Sequence, residues 1–311
     1  MTRSSAREDL RALASGWRWG KHPLVPRSAE RYQPPEEWKE FPTAWARTPA
    51  ARAVRSFVLR NLFGPLVRGE TRVRVEGLDV LDDLRPPVML VSNHSSHLDT
   101  PLVLCSLPGP WRDRTAVGAA ADYFFDVRWR AASTALVFNT FPIERQGSGL
   151  SSGRGIDTAR RLVGDGWNLL VFPEGTRSRD GWVQRFRHGT ARLSIECGLP
   201  MVPIAIRGAF SAMPRGRSWP LKGRYPVSVR FGPPLQPSPG EDHRELSARL
   251  TQAVSRLWDE DRTTWWESLK REATGTTPRP SGPQAARWRR VWEASRPIDR
   301  RDPAPAWRRR P

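Results

Sequence analysis

Cysteine is nearly absent: Cys105 and Cys197 are the only two in 311 residues. That excludes a disulfide framework and a cysteine-rich metal centre, and both residues lie in apolar segments that suit reduced core thiols. Histidine is scarce as well, with five residues, so imidazole chemistry has few places to occur. Long hydrophobic runs are missing, since no stretch approaches the roughly 20 uncharged apolar residues that span a bilayer. The opening MTRSSAREDLRALASGW is broken by charges where a signal segment needs an apolar centre. The expectation is a cytoplasmic protein that associates peripherally with the inner face of the cell membrane.

Negative charge is also in deficit. Against 51 Lys and Arg stand 32 Asp and Glu, a net charge of +19, and only four of the cations are lysines. The excess is +5, +9 and +5 over residues 1–85, 86–240 and 241–311, which is a spread and not one recognition stripe. It predicts attraction to anionic lipid, phosphorylated substrate or nucleic acid without choosing among them. Tryptophan is abundant, with 15 residues. Several, including Trp17, Trp19, Trp38, Trp45, Trp288, Trp292 and Trp307, are interleaved with arginine near the two ends. That pattern suits a membrane interface and equally suits packing of the extensions onto a domain.

Apolar periodicity divides the chain into an N-terminal extension (1–48), one domain (49–275) and a basic, Pro-rich tail (276–311) expected to be disordered. Strands are predicted at 71–77, 87–91, 115–118, 135–143, 168–172, 202–206 and 227–231. Helices are predicted near 51–69, from 121, and at 155–163, 189–197 and 243–259. Along 51–69, Val54, Phe57, Val58 and Leu62 fall together on a helical wheel, but Leu59, Phe63 and Arg60 broaden the pattern, giving an interfacial or packed helix and not a clean amphipathic stripe. Strands alternating with helices give an α/β fold class: a single domain with a mostly parallel or mixed β-sheet flanked by helices, plus polar extensions.

Two segments carry chemistry. In VSNHSSHLD, Val91 to Asp99, a histidine stands at the end of a buried strand with an aspartate five positions on. A carboxylate on one imidazole nitrogen fixes the tautomer and supports the imidazolium formed when the other nitrogen takes a proton. Five helical residues turn through about 140° at 3.6 per turn, so a turn must bring His94 and Asp99 together. Thr100 is the expected cap and Pro101 the first position of the helix that follows. His97, inside the turn, is read as structural or solvent-facing. In FPEGTRSR, Phe172 to Arg179, a glycine permits close backbone approach, Thr176 can donate a hydrogen bond and Arg177 offers a fork matched to phosphate. FPIER brings Arg145 to another strand end. Such strand ends are where α/β folds bind ligands.

Together these segments resemble the glycerolipid acyltransferase family typified by 1-acylglycerol-3-phosphate acyltransferase, the NHxxxxD acyltransferases. NHSSHLD matches the first block, FPIER the second, FPEGTRS the third and VPIAI (202–206) the fourth, in order, over roughly residues 70–235. Pro142 departs from the second block, where another apolar residue is commoner. The resemblance implies that His94 and Asp99 are the catalytic pair. It assigns Arg145, Glu174, Gly175 and Arg177 to the phosphorylated acceptor and Pro203 to the acyl side, with Asn93 and Thr176 as further expected substrate-binding residues. Asn93 before His94, and Gly175-Thr176 where glycerol-3-phosphate enzymes carry a glycine pair, tilt the acceptor toward a lysophospholipid.

The implied reaction moves an acyl group from acyl-CoA or acyl carrier protein to 1-acylglycerol 3-phosphate, giving phosphatidic acid in phospholipid biosynthesis. No metal and no cofactor beyond the thioester co-substrate is expected. The expected partners are a lysophospholipid acceptor, an acyl thioester donor and an anionic membrane surface, with nucleic acid not among them. Two alternatives stay open: the same chemistry on another lysolipid or glycolipid, and a catalytically silent scaffold that binds anionic surfaces.

Overall fold

The computed structural model describes residues 42–120, 128–143, 154–217, 219–296 and 298. The expected N-terminal extension therefore lies almost wholly outside the described residues. Seven strands form one sheet in the order β1 (Thr71–Glu76), β7 (Tyr225–Phe231), β6 (Met201–Arg207), β2 (Met89–Ser92), β5 (Asn168–Val171), β3 (Thr115–Ala120) and β4 (Thr140–Ile143). All neighbours are parallel except β6 with β7. In chain order the helices are α1 (Pro49–Val58), α2 (Gly64–Glu70), α3 (Asp99–Ser106), α4 (Gly109–Asp113), α5 (Arg128–Phe138) and α6 (Arg154–Gly164). They continue with α7 (Gly189–Cys197), α8 (Ala209–Ala212), α9 (His243–Glu260), α10 (Trp265–Ala273) and α11 (Arg287–Ser295). A wider turn of helix, Leu59–Phe63, joins α1 to α2.

The central strands read as unbroken apolar runs because helices cover both faces of the sheet. Side chains alternate between two cores: Met89 and Val91 of β2 join one, while Val88 and Leu90 join the other. The first core receives Leu246, Leu250, Val254 and Leu257 of α9, and the second receives Leu102, Val103 and Leu104 of α3. Parallel pairing of β2, β5, β3 and β4 puts the ends of all four strands on one edge. The NHSSHLD and FPEGTRS segments leave that edge side by side, from β2 and β5.

Three expectations are corrected. The run 135–143 is not one strand: α5 extends to Phe138 and only Thr140–Ile143 joins the sheet, because Asn139 takes a left-handed conformation (φ 52°) that ends the helix. A short apolar run is ambiguous between a buried helix end and a strand. The helix after His94 starts at Asp99, not after a Thr100 cap. On α1 and the turn that follows it, Val54, Phe57 and Leu62 are exposed, whereas Arg55 is 1% exposed. Arg55 is held there by carbonyls, its Nε donating to Leu136 O at 2.9 Å and its Nη2 to Ala46 O. Burial lowers its pKa to about 10. Finally, the tail is ordered through residue 296, with α11 docked on the domain. Its polarity misled because α11 is held by hydrogen bonds and one ion pair, not by a buried apolar face.

Among the described residues no helix is long and apolar enough to cross a membrane. Nor is there a cluster of three or more His, Cys, Asp or Glu side chains that could hold a metal.

Candidate active site

His94 and Asp99 meet as the spacing requires. The turn through Ser95 and Ser96 curls the chain so that Asp99 Oδ2 accepts from Ser95 N at 2.6 Å and Ser96 N at 2.8 Å. The same oxygen lies 2.8 Å from His94 Nδ1. Asp99 is fully buried and its position is fixed by two backbone donors, so it holds one imidazole face and tautomer. The ring stacks on Phe172, centroids 4.2 Å apart and planes at 22°. With Nδ1 engaged, Nε2 is the nitrogen left for a substrate proton.

The loop after β5 grips His94 by its backbone. His94 N donates to Glu174 Oε1 at 2.6 Å, and Ser178 N donates to His94 O at 2.8 Å. The other Glu174 oxygen accepts from Gln184 N at 3.0 Å. Glu174 is 4% exposed, and burial raises its pKa to about 8 although both backbone donors favour the ionised form. Gly175 adopts φ +72°, where a side chain is strained, and an added Cβ would lie 2.8 Å from Arg187 Nε.

A cavity of about 360 Å³ opens over this junction. Its polar side holds His94, His97, Gly175, Thr176, Arg177 and Arg187, and its apolar side includes Phe63, Leu66, Val67, Phe138 and Ile143. That volume and lining suit a ligand with an anionic head and an apolar chain. His97 has its pKa lowered to about 4 by burial first and by Arg177 and His94 next, so it is neutral at neutral pH.

Of the sequence-predicted residues, His94, Gly175, Thr176 and Arg177 line the cavity, with Asp99 behind His94. Three others do not line it. Asn93 is 1% exposed and its amide is bonded to β6: Nδ2 donates to Ile206 O at 3.0 Å and Oδ1 accepts from Ile206 N at 2.8 Å. It pins β2 to β6. Glu174 likewise positions His94 and the loop. Pro203 is buried in β6 beside Val91, its carbonyl accepting from Gly232 N at 2.8 Å. Arg145 lies outside the described residues. Residues the sequence did not single out for the site are Arg187 and the apolar wall from α2 and α5. His97, read from the sequence as structural or solvent-facing, lines the cavity. Arg187 follows Gly175 by 12 positions with no local pattern, so only the fold joins them.

Residues 72–207 match the family described as Acyltransferase. Over 145 residues the chain is 30% identical to the chloroplastic 1-acyl-sn-glycerol-3-phosphate acyltransferase BAT2 of Brassica napus, covering 46% of this chain and 39% of that one. The enzyme of the same description from Pseudomonas aeruginosa is 36% identical over 94 residues, 28% of this chain and 34% of that one. The chain thus spans well under half the length of these relatives. The crystal structure of the 1-acyl-sn-glycerophosphate acyltransferase PlsC from Thermotoga maritima superposes with a TM-score of 0.55 at 23% identity, over 72% of this chain and 88% of that one, a shared fold. Residues 72–207, which carry both His94 and the FPEGTRS loop, are the part of this chain that is similar to the Acyltransferase family.

Proposed function

We propose that this protein transfers an acyl group from a thioester, on coenzyme A or acyl carrier protein, to the free hydroxyl of 1-acylglycerol 3-phosphate. The observation that carries the reading is the His94–Asp99 pair opening onto the same cavity as Gly175, Thr176 and Arg177. His94 Nε2 takes the hydroxyl proton as the oxygen attacks the thioester carbonyl. A new C–O bond forms, the C–S bond breaks, and the proton passes to the departing thiolate. Asp99 steadies the imidazolium meanwhile. Arg177, with Thr176 and the backbone at Gly175, clamps the phosphate so that the hydroxyl meets His94. The apolar wall of Phe63, Leu66 and Phe138 takes an acyl chain. The chain needs no metal or cofactor for this, because a thiolate is a good leaving group. The relatives are named as acyltransferases of this acceptor, which further supports the choice.

The reaction takes place at an anionic lipid surface. Both substrates carry acyl chains, the net charge is +19, and Phe57 and Leu62 stand exposed beside arginines.

The test is purified protein given labelled acyl-CoA, or acyl carrier protein, with a panel of lysolipids. Phosphatidic acid is expected from lysophosphatidic acid in preference to other acceptors. His94→Ala is expected to lower turnover by at least about 100-fold with an unchanged melting temperature. Turnover that survives in His94→Ala sinks the mechanism, and a preference for another lysolipid moves the acceptor.

A further inference from the structure

Helix α11 lies beyond the family match, yet it is bonded to the loop that holds His94. Arg290 Nε donates to Asp180 Oδ2 at 2.7 Å, with the two side chains 22% and 13% exposed. The same guanidinium caps the preceding turn, donating to Pro283 O at 2.7 Å and Ser281 O at 2.8 Å. Trp182 Nε1 returns a bond to Arg290 O at 3.0 Å, and Val183 N donates to Pro280 O at 3.2 Å. The approach is close: a Cβ on Gly181 would lie 2.6 Å from Ala294 Cβ. On its other flank the helix accepts from Ser211 Oγ, through Ala294 O at 2.9 Å.

Asp180 is the hub of the FPEGTRS loop. Its Oδ1 accepts from Ser178 Oγ at 3.1 Å, Trp182 N at 3.2 Å and Gln184 Nε2 at 3.3 Å. From there two routes reach the base. Ser178 N donates to His94 O, and Gln184 N donates to Glu174, whose other oxygen accepts from His94 N. Arg177 sits between Glu174 and Ser178, so the phosphate clamp belongs to the same bonded loop.

We infer that α11 is a clamp and that Arg290 is a positioning residue: through Asp180 it holds the FPEGTRS loop in register with His94, setting the phosphate pocket relative to the base. The chemistry is that of a charge-assisted hydrogen bond in a partly buried network. Removing the cation takes the charged partner from Asp180 Oδ2 and loosens the network that Oδ1 organises. The kinetic part of this inference rests on the reading of the cavity as a lysophosphatidic acid site, whereas the exchange measurement below does not.

The experiment compares the full chain with Arg290→Gln, Arg290→Lys, Asp180→Asn and the double variant Arg290→Gln/Asp180→Asn. Hydrogen exchange followed by peptide mass is expected to quicken in residues 172–187 for Arg290→Gln, and to stay unchanged in β6 and α9. The KM for lysophosphatidic acid is expected to rise about tenfold, with the KM for acyl-CoA unchanged. A general loss of folded protein lowers apparent kcat alone and moves neither KM. Arg290→Lys keeps the charge and recovers most of both effects, and Arg290→Gln adds nothing in the Asp180→Asn background. Unchanged exchange in 172–187, or quickening spread evenly over the chain, overturns the clamp. If lysophosphatidic acid is not turned over by the unaltered protein, the acceptor assignment fails alone and the exchange result still decides the clamp.

Discussion

At the scale of single residues, the site is a histidine whose every polar group but one is spoken for. Asp99 takes Nδ1, Glu174 takes the backbone N–H, Ser178 gives to the carbonyl, and Nε2 remains for substrate. Glu174 is the costly member. Its pKa is raised from 4.5 to about 8, so the folded protein holds a proton that the unfolded chain releases above about pH 4.5. Unfolding then releases that proton, and this contribution to stability is full below pH 4.5, declines as pH rises, and is gone above about 8. Glu174→Gln removes the titration. Melting temperature followed from pH 5 to 8 is expected to fall less steeply in that variant than in the parent, and parallel curves count against the raised pKa. The His94–Asp99 pair was legible in the sequence because a five-residue turn is local. The roles of Glu174 and Asn93 were not, since their partners lie 80 and 113 positions away and both residues sit within a motif that also fits ligand binding.

At the scale of elements, the buried strands and α9 were readable because each satisfies one strong pattern. Continuous apolar runs mark β2, β5 and β6, and 3.6-residue spacing marks α9, which begins with a reciprocal cap between Asp242 and Glu245. The misread elements lacked such agreement. Run 135–143 is apolar through a helix end and a strand, and α11 offers no buried residue to give a stripe. Because α9 contributes nothing to the cavity lining, stability and activity separate there. Leu250 is 1% exposed in the core. Leu250→Ala is expected to cost about 2–5 kcal/mol, read as a lower urea midpoint, while kcat measured well below the melting temperature stays within twofold. A large kcat loss with an unchanged midpoint contradicts this separation.

At the scale of the whole molecule, charge and exposed apolar surface point to the same use. The arginine excess supplies long-range attraction, but it is screened over about 10 Å at 0.1 M salt and carries no preference for one face. Orientation has to come from apolar contact, and α1 is built for it in an unusual way. Its buried side holds Arg55 and Ala51, while Val54, Phe57 and, in the following turn, Leu62 face outward at 46%, 68% and 59% exposure. The α2 segment that continues from them supplies Leu66 and Val67 to the cavity wall, so under the proposed function a bilayer that meets α1 lies at the element that would also take an acyl chain. Fully burying a Phe or Leu side chain is worth about 1.5–3 kcal/mol, roughly tenfold or more in partition for each. Phe57→Ser/Leu62→Ser is therefore expected to reduce co-sedimentation with phosphatidylglycerol vesicles by at least about tenfold at 0.5 M salt, where attraction by charge is weak. At low salt the deficit shrinks, because arginine still draws the protein to the surface, and the melting temperature is unchanged because both side chains are exposed. Equal sedimentation of variant and parent at high salt removes α1 as the contact.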